Sequence, residues 1–571
     1  MQPPPFPPSP TEPEPEPERP VVDEPRLRLW DRNLLFLLLC LVGASVVVGK
    51  ILQPPPAPTV SDFNPARYTD AKFRSVVESV DATMQKSWNE KKLTPTPRAD
   101  DLAIARRLSL ALTGTIPSLQ EVRAFEAQPE DDRIHWWISR ALQDRRHSDY
   151  LAERFARAYV GVENGPFIVY RRRRMVNWLS DQLAQNRPYN DLVKNLITAE
   201  GAWTSQPESN FITVTIDPND DGNGPDEVKL AARVTRAFLG VRLDCVQCHD
   251  DKFGDRWKQE DFHQLASFFA EADVGFTGVM DDTGKEYEFR YRGEPKEKSV
   301  PAVVPFNQEL LPDDGSLRER LAGWVTHKEN RPFARAAVNR IWALMFNKPL
   351  IDPVDEIPLE GPYPPAMELL TDDLVAHNFD LQRLIRIIAS TRAFQLDSRA
   401  ANDDEEISDL QEEHFAAFPL TRLRPEQVAG SVIQSSTLTT INADAHIFQR
   451  GKRYFSEGNF VKRFGDAGED EFNQQGGTIP QRLLMMNGEM VEDQTKPNPF
   501  MNSATRIGIV APDDKTAVET LFLSVFSRRP TSEEAEHFAA QLRGTDGDQR
   551  SEKMSDIYWS LLNATEFSWN H

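Results

Sequence analysis

The chain has 571 residues, with 66 basic against 88 acidic side chains and a formal charge of −22. That balance argues against a nucleic-acid binder working through a basic face. Three cysteines exclude a disulfide-stapled scaffold, and the length allows two or three domains with real cores.

Residues 1–33 are rich in proline and glutamate (PTEPEPEPERP over Pro10–Pro20) and carry too little apolar surface to offset the entropy of ordering. They read as a disordered cytoplasmic tail. Leu34–Gly49 then runs without a charge, and continuing to Leu52 gives a stretch of about 28 Å as a helix, against a hydrocarbon thickness of ~30 Å. Residues 34–52 are therefore predicted to be a transmembrane helix, with Trp30 and Lys50 at the interfaces. A signal sequence is the competing reading, but the upstream tail is long and no A-x-A cleavage site follows. Arg19, Arg26, Arg28 and Arg32 precede the segment, whereas Lys50 and Arg67 are the basic residues soon after it. The bias predicts a single-pass protein of the cytoplasmic membrane, N-terminus inside, with its bulk in the periplasm or an equivalent compartment.

The expected fold class is mainly α: two helical domains with a small β-hairpin insertion, preceded by the one transmembrane helix. Residues 53–98, with the stiff Pro54–Pro58 run, read as a linker and lead-in segment. Residues 99–275 form the first helical domain. Its apolar residues recur at helical spacing from Leu102 to Leu112, Gly114 and Pro117 end that helix, and Ser118 with Glu121 makes an S-x-x-E capping box. Further helices are predicted at 133–142, 151–160, 172–183, 189–197 and 226–239, the last closed by Gly240. Residues 276–316 read as a β-containing insertion, because Tyr287, Phe289 and Tyr291 alternate with charges over Lys285–Arg292. Residues 317–571 form the second helical domain, with helices from Leu317 and at 333–346, 366–378, 381–394, 425–440, 480–490, 516–526 and 556–562. Residues 403–413 are acidic and read as a solvated loop or exposed helix.

The chemistry concentrates at Cys245-Val246-Gln247-Cys248-His249, a C-x-x-C-H. Two thiols three apart can add to the two vinyl groups of one porphyrin, and the adjoining imidazole can then take an axial position on the iron. Composition alone would produce the pattern with a probability of about 2 in 10,000. The candidate cofactor is haem c on Cys245 and Cys248, with His249 as the iron ligand. Three other readings compete. A zinc site would need a second ligand pair, which the chain lacks; a thioredoxin-like dithiol would need a preceding strand; and a plain Cys245–Cys248 disulfide needs only an oxidising compartment. His263, fourteen residues on, is the nearest candidate for a sixth ligand, although it lies on an apolar helix; Met280, Met345, Met485 and Met486 are chemically suitable alternatives.

Around the motif lie Phe238-Leu239-Gly240-Val241-Arg242, Asp255-Arg256-Trp257 and Phe268-Phe269. The second half has Pro332–Ala336, Val338-Asn339-Arg340-Ile341-Trp342, Asp352-Pro353-Val354-Asp355, Leu384-Ile385-Arg386, Ser390-Thr391-Arg392, Met486-Asn487-Gly488, Ser527-Arg528-Arg529-Pro530, Leu562-Asn563 and Glu566-Phe567. Over about residues 75–571 these resemble a planctomycete-type family of secreted or membrane-anchored proteins of unknown function. In that family a cytochrome-like C-x-x-C-H domain is followed by a planctomycete-specific C-terminal domain. The resemblance implies a mainly helical fold and haem binding through the motif, and it implies no established activity. The chain departs from the common C-H-x-H-P-F continuation, carrying Asp251 and Lys252 for the second histidine and the proline.

Two further clusters could hold a ligand. Asp217, Asn219 and Asp221, before Gly222, fit the first half of a calcium loop, but the twelfth position is Val228, so an Asx-rich turn competes. Arg171–Arg174 could meet haem propionates or an anionic cell-surface glycan, or simply pair with carboxylates. Asp352–Asp355 reads as a turn and helix cap. The functional expectation is a membrane-anchored, extracytoplasmic c-type cytochrome-like protein that transfers electrons to a periplasmic partner or supports an oxidoreductase. The alternative is a non-redox cell-surface interaction or polysaccharide-handling protein with a Cys245–Cys248 disulfide. A hydrolase is a weaker third option, since none of the common nucleophile, phosphate-loop or zinc-protease motifs is present.

Overall fold

A computed structural model describes residues 34, 36–41, 63–162, 170–217, 224–251, 256–291, 294–399, 405–441, 458–465, 472, 477–498 and 502–571. The chain divides into a unit of Met1–Pro56 and a unit of Ala57–His571. In the first unit Leu34 and residues 36–41 are helical and exposed. The remainder of the predicted membrane segment lies outside the described residues, and among those described no helix is long and apolar enough to cross a membrane.

The second unit is mainly helical, and its helices start where the sequence supplies caps. Asp70, Asp100 and Asp144 accept hydrogen bonds from backbone N–H groups two or three residues on, opening Ala71–Glu90, Asp101–Thr113 and Arg145–Val160. Ser118 and Glu121 close the expected capping box at the start of Leu119–Glu126. Helices follow at Arg133–Gln143, Arg172–Ala184 and Tyr189–Thr198, within a residue or two of the predicted bounds.

Several expectations change. The lead-in segment contains a helix of 20 residues, Ala71–Glu90, whose Phe73, Val80, Met84 and Trp88 are buried; Trp88 Nε1 donates to the His414 carbonyl at 2.9 Å. The predicted strand over residues 285–292 shrinks to Glu288–Phe289, paired antiparallel with Lys298–Ser299, and Arg292 lies outside the described residues. A second hairpin pairs Ala272–Gly275 with Gly278–Asp281. The predicted helix at 381–394 breaks at Thr391, whose side chain caps the short Arg392–Gln395 turn. That at 480–490 breaks at Gly488, between Ile479–Asn487 and Glu489–Thr495. Pro425–Ser435 stops short of residue 440. The acidic segment is the helix Glu405–Glu413. Ser503–Val510 and Ser532–Leu542 are helices outside the predicted set.

Two apolar cores organise this unit. One draws mainly on residues from Tyr68 to Phe418, with Leu523 added, and runs without a break across residue 317; the other draws on Leu110, Ile116 and residues from Leu423 to Phe567. The helix Asp101–Thr113 serves both: Leu102, Ile104 and Leu108 enter the first core and Leu110 the second. Next to it, His147 is buried with its Nδ1–H donated to the Leu112 carbonyl at 3.1 Å, and burial lowers its pKa to about 4. The unfolded chain, with an ordinary histidine near 6.5, takes up a proton that the native state refuses. Stability should therefore fall by up to about 3 kcal/mol as pH drops from about 6.5 to 4. His147→Gln should flatten that part of the urea-denaturation pH profile; an unaltered slope would assign the acid sensitivity elsewhere.

Candidate functional site

The C-x-x-C-H motif follows a helix that changes pitch. Glu227–Val234 is α-helical, with Asp226 accepting from the Lys229 N–H, and Thr235–Leu239 is a π-turn. Such one-turn widenings concentrate at functional sites. Gly240 ends it at φ +64°, where a Cβ would come within 2.9 Å of the Ile357 side chain, and its carbonyl accepts from the Ile357 N–H at 2.7 Å. The chain passes buried Val241 and Leu243 into a short 3-10 turn, Asp244–Val246, whose Val246 anchors the motif in the core.

Cys245, Cys248 and His249 are exposed around this turn, and both thiols are free, so the structure contains no Cys245–Cys248 disulfide. His249 Nδ1 lies 2.8 Å from the Asp250 carbonyl. A carbonyl only accepts, so Nδ1–H is the donor in this contact and Nε2 is the ring nitrogen left facing away from it.

Helix Gln259–Ala266 supports the loop from below. Gln259 Nε2 and His263 Nε2 both donate to the Gln247 carbonyl at 3.0 Å, and the Gln259 N–H donates to Asp250 Oδ1 at 2.9 Å. His263 is only 1% exposed, stacked on Phe289 with ring centroids 3.4 Å apart. Its Nδ1 meets the Tyr287 hydroxyl at 2.9 Å. Burial lowers the His263 pKa and raises that of Tyr287. The ring is thus neutral, accepting from Tyr287 O–H and donating to Gln247 C=O. With both nitrogens engaged, His263 is a positioning residue beneath the motif rather than a residue presented for iron. The alternating aromatics of the short strand region supply its box.

The other candidates are placed as follows. Asp217 is exposed, and Asn219 and Asp221 lie outside the described residues; Asp226 is occupied as a helix cap. No group of three or more His, Cys, Asp or Glu residues converges to hold a metal ion among the described residues. Met345 and Met485 are buried in the cores, and Met280 and Met486 are partly exposed. Arg172 pairs with Glu153 through two bonds of 2.9 Å, and Arg171 stacks over Trp203, its backbone N–H donating to Asn210.

Asp352–Asp355 forms the expected turn, closed by the Glu356 N–H on the Pro353 carbonyl at 3.1 Å, but Asp355 caps no helix. Its carboxylate accepts from Arg236 at 2.9 Å and from Arg242 at 2.7 and 3.0 Å. Burial pushes this carboxyl up, but the two arginines outweigh it and hold the pKa below the usual carboxylate range. Arg236 also lies 3.7 Å from Asp244, the residue before Cys245. Asn339 fixes the turn from behind, donating to the Ile351 carbonyl and accepting from the Leu350 and Ile351 N–H groups. Asp355→Asn keeps the shape and drops the charge. It is expected to cost about 1–2 kcal/mol in urea denaturation, and an unchanged midpoint would mean other partners hold the arginines. No signal in the sequence tied Asp355 to residues more than a hundred positions upstream.

Residues 79–274 match PSCyt2, described as a protein of unknown function (DUF1549), and residues 317–459 match PSD1, described as a protein of unknown function (DUF1553). The chain thus has two domains of unknown function in the planctomycete-type arrangement. No curated protein and no solved structure matches it.

Proposed function

We propose that this protein is a membrane-anchored, extracytoplasmic c-type cytochrome-like protein, taking part in electron transfer or supporting an oxidoreductase. The observation that carries the reading is the state of the motif: two free, exposed thiols three residues apart, followed by an exposed histidine whose Nδ1–H is tied to the Asp250 carbonyl. A histidine held in that way offers Nε2, the tautomer metal-bound histidines commonly use. Cys245 and Cys248 would hold the porphyrin through thioether bonds, and His249 would be the axial ligand. Haem supplies a one-electron couple at its iron. The chain's own contribution is to orient: Val246 roots the turn, while Gln259 and His263 fix the Gln247 carbonyl between the two cysteines.

Residues 34–52 are proposed as the anchor, with the N-terminus inside and the rest outside. That location is compatible with attachment of c-type haem on the outer face. The pyridine haemochrome spectrum of the full-length chain, produced alongside c-haem maturation machinery, tests the reading. A haem c spectrum is expected. A colourless preparation in which Cys245 and Cys248 are oxidised to each other would favour the non-redox surface protein.

A further inference from the structure

The second core leaves one of its helices with an apolar outer side. In Ile479–Asn487, Met485 is buried in that core, Leu484 packs against it, and the Gln481 amide donates to the Phe464 carbonyl at 2.8 Å. At about 100° per residue, Ile479, Leu483 and Met486 fall within about 60° of one another on the side opposite these three. They are 77%, 51% and 38% exposed. Cations border this stripe. Arg482 lies within the helix, Lys462 and Arg463 are exposed on the helical residues 458–464 that meet its first turn at Gln481, and Arg422 donates to Gln481 Oε1 at 2.9 Å. Burial and the neighbouring Arg482 charge both lower the Arg422 pKa, which places these two cations close together. Neither 458–464 nor 479–487 contains an acid, and among the described residues none of the four cations has a carboxylate partner. In the next helix Glu492 and Asp493 are held by Lys496 at 3.0 and 3.3 Å, and Glu489 follows Gly488, past the end of the stripe.

We infer that this face docks on an anionic lipid bilayer, with Ile479, Leu483 and Met486 entering the headgroup boundary and Lys462, Arg463 and Arg482 meeting the lipid phosphates. A helix of nine residues is too short to span a membrane, but lying in the interface needs only an apolar side and a basic border. Anionic headgroups attract such cations within about a Debye length of the surface. A second copy of the chain fits less well. Three apolar side chains fall short of the roughly 20–30 residues, about 800 Å², that each partner brings to a stable interface, and a two-fold contact would set the cations of one copy against those of the other. A chain held by the proposed anchor at residues 34–52 meets lipid at high effective concentration. Only that proximity rests on the proposed function; the stripe and its cations do not.

Cosedimentation of Ala57–His571 with vesicles tests this without the anchor, since that unit holds both apolar cores whole. Phosphatidylcholine containing about 30% phosphatidylglycerol should bind it at least tenfold better than phosphatidylcholine alone, and about 0.5 M NaCl should release most of it. Ile479→Gln/Leu483→Gln should weaken binding at least tenfold. So should Lys462→Gln/Arg463→Gln/Arg482→Gln; all five side chains are exposed, so neither set disturbs a core. Loss with the first set separates insertion into lipid from attraction to any anionic surface. No binding, equal binding to the two lipids, or wild-type binding by either variant would overturn the inference. So would a dimer in sedimentation velocity that Ile479→Gln/Leu483→Gln dissociates. Carbonate extraction of the full-length chain reads the anchor separately: release from membranes would remove the anchor and leave the vesicle result standing.

Discussion

Chain matured for c-type haem is expected to carry one haem mass on the peptide containing Cys245 and Cys248, and Cys245→Ala/Cys248→Ala is expected to remove all of it. The effect is all-or-none because the attachment is covalent: without both thiols no thioether can form, whatever the affinity of the pocket. His249→Ala separates the two roles in the motif. It should retain the added mass while changing the reduced spectrum, since attachment uses sulfur and ligation uses Nε2. His263→Gln should keep both the mass and the axial spectrum, because His263 serves the loop through Gln247 and Tyr287. A spectrum altered as much by His263→Gln as by His249→Ala would move the axial role to His263. Full retention of covalent haem in the double cysteine variant would sink the assignment.

The motif could be seen in the sequence because its chemistry is local. Five consecutive residues hold both thiols and the imidazole, and the π-turn and Gly240 that aim them follow directly from the preceding helix. What holds the motif was only half visible. The alternation of Tyr287, Phe289 and Tyr291 announced a strand, and the pairing is confined to Glu288 and Phe289; the aromatics instead enclose His263. The Asp355 clamp joins residues 113 and 119 positions apart, a separation no periodicity encodes.

Many helices with one apolar stripe were readable to within a few residues, but Arg145–Val160 and Gly547–Leu562 start six and nine residues before their predicted first residues, 151 and 556. Ala71–Glu90 shows the limit: Phe73, Val80, Met84 and Trp88 have helical spacing, but they are separated by charged and polar residues and flanked by prolines that mark a linker. The division of the cores was not readable. The boundary at 317, placed where helical periodicity resumes, coincides with the start of the second matched region, yet the first core continues past it because the helix Arg331–Phe346 is buried among residues from both sides.

Arg107→Ala is expected to lower the unfolding free energy by about 3–5 kcal/mol, the largest stability loss of any single change argued for this chain. Arg106 and Arg107 sit among the apolar residues of the helix Asp101–Thr113. In the structure both are buried, and they point to opposite cores. Arg106 donates to the Val525 and Phe567 carbonyls at 3.2 and 3.3 Å. Arg107 donates to the carbonyls of His571, Leu396 and Phe394 at 2.8, 2.5 and 3.3 Å, its guanidinium 3.9 Å from the Phe418 ring centroid. Burial lowers the Arg107 pKa to about 9, which still leaves the group charged at neutral pH. Removing it recovers the desolvation cost of one cation but strands three carbonyls and opens a cavity beside Phe418, and the second effect is larger. Arg107→Met isolates the polar part, because it fills most of the volume and donates nothing. Its denaturation midpoint should fall as well, at an unchanged slope; a wild-type midpoint would mean that packing, and not the carbonyl contacts, ties His571 to this helix.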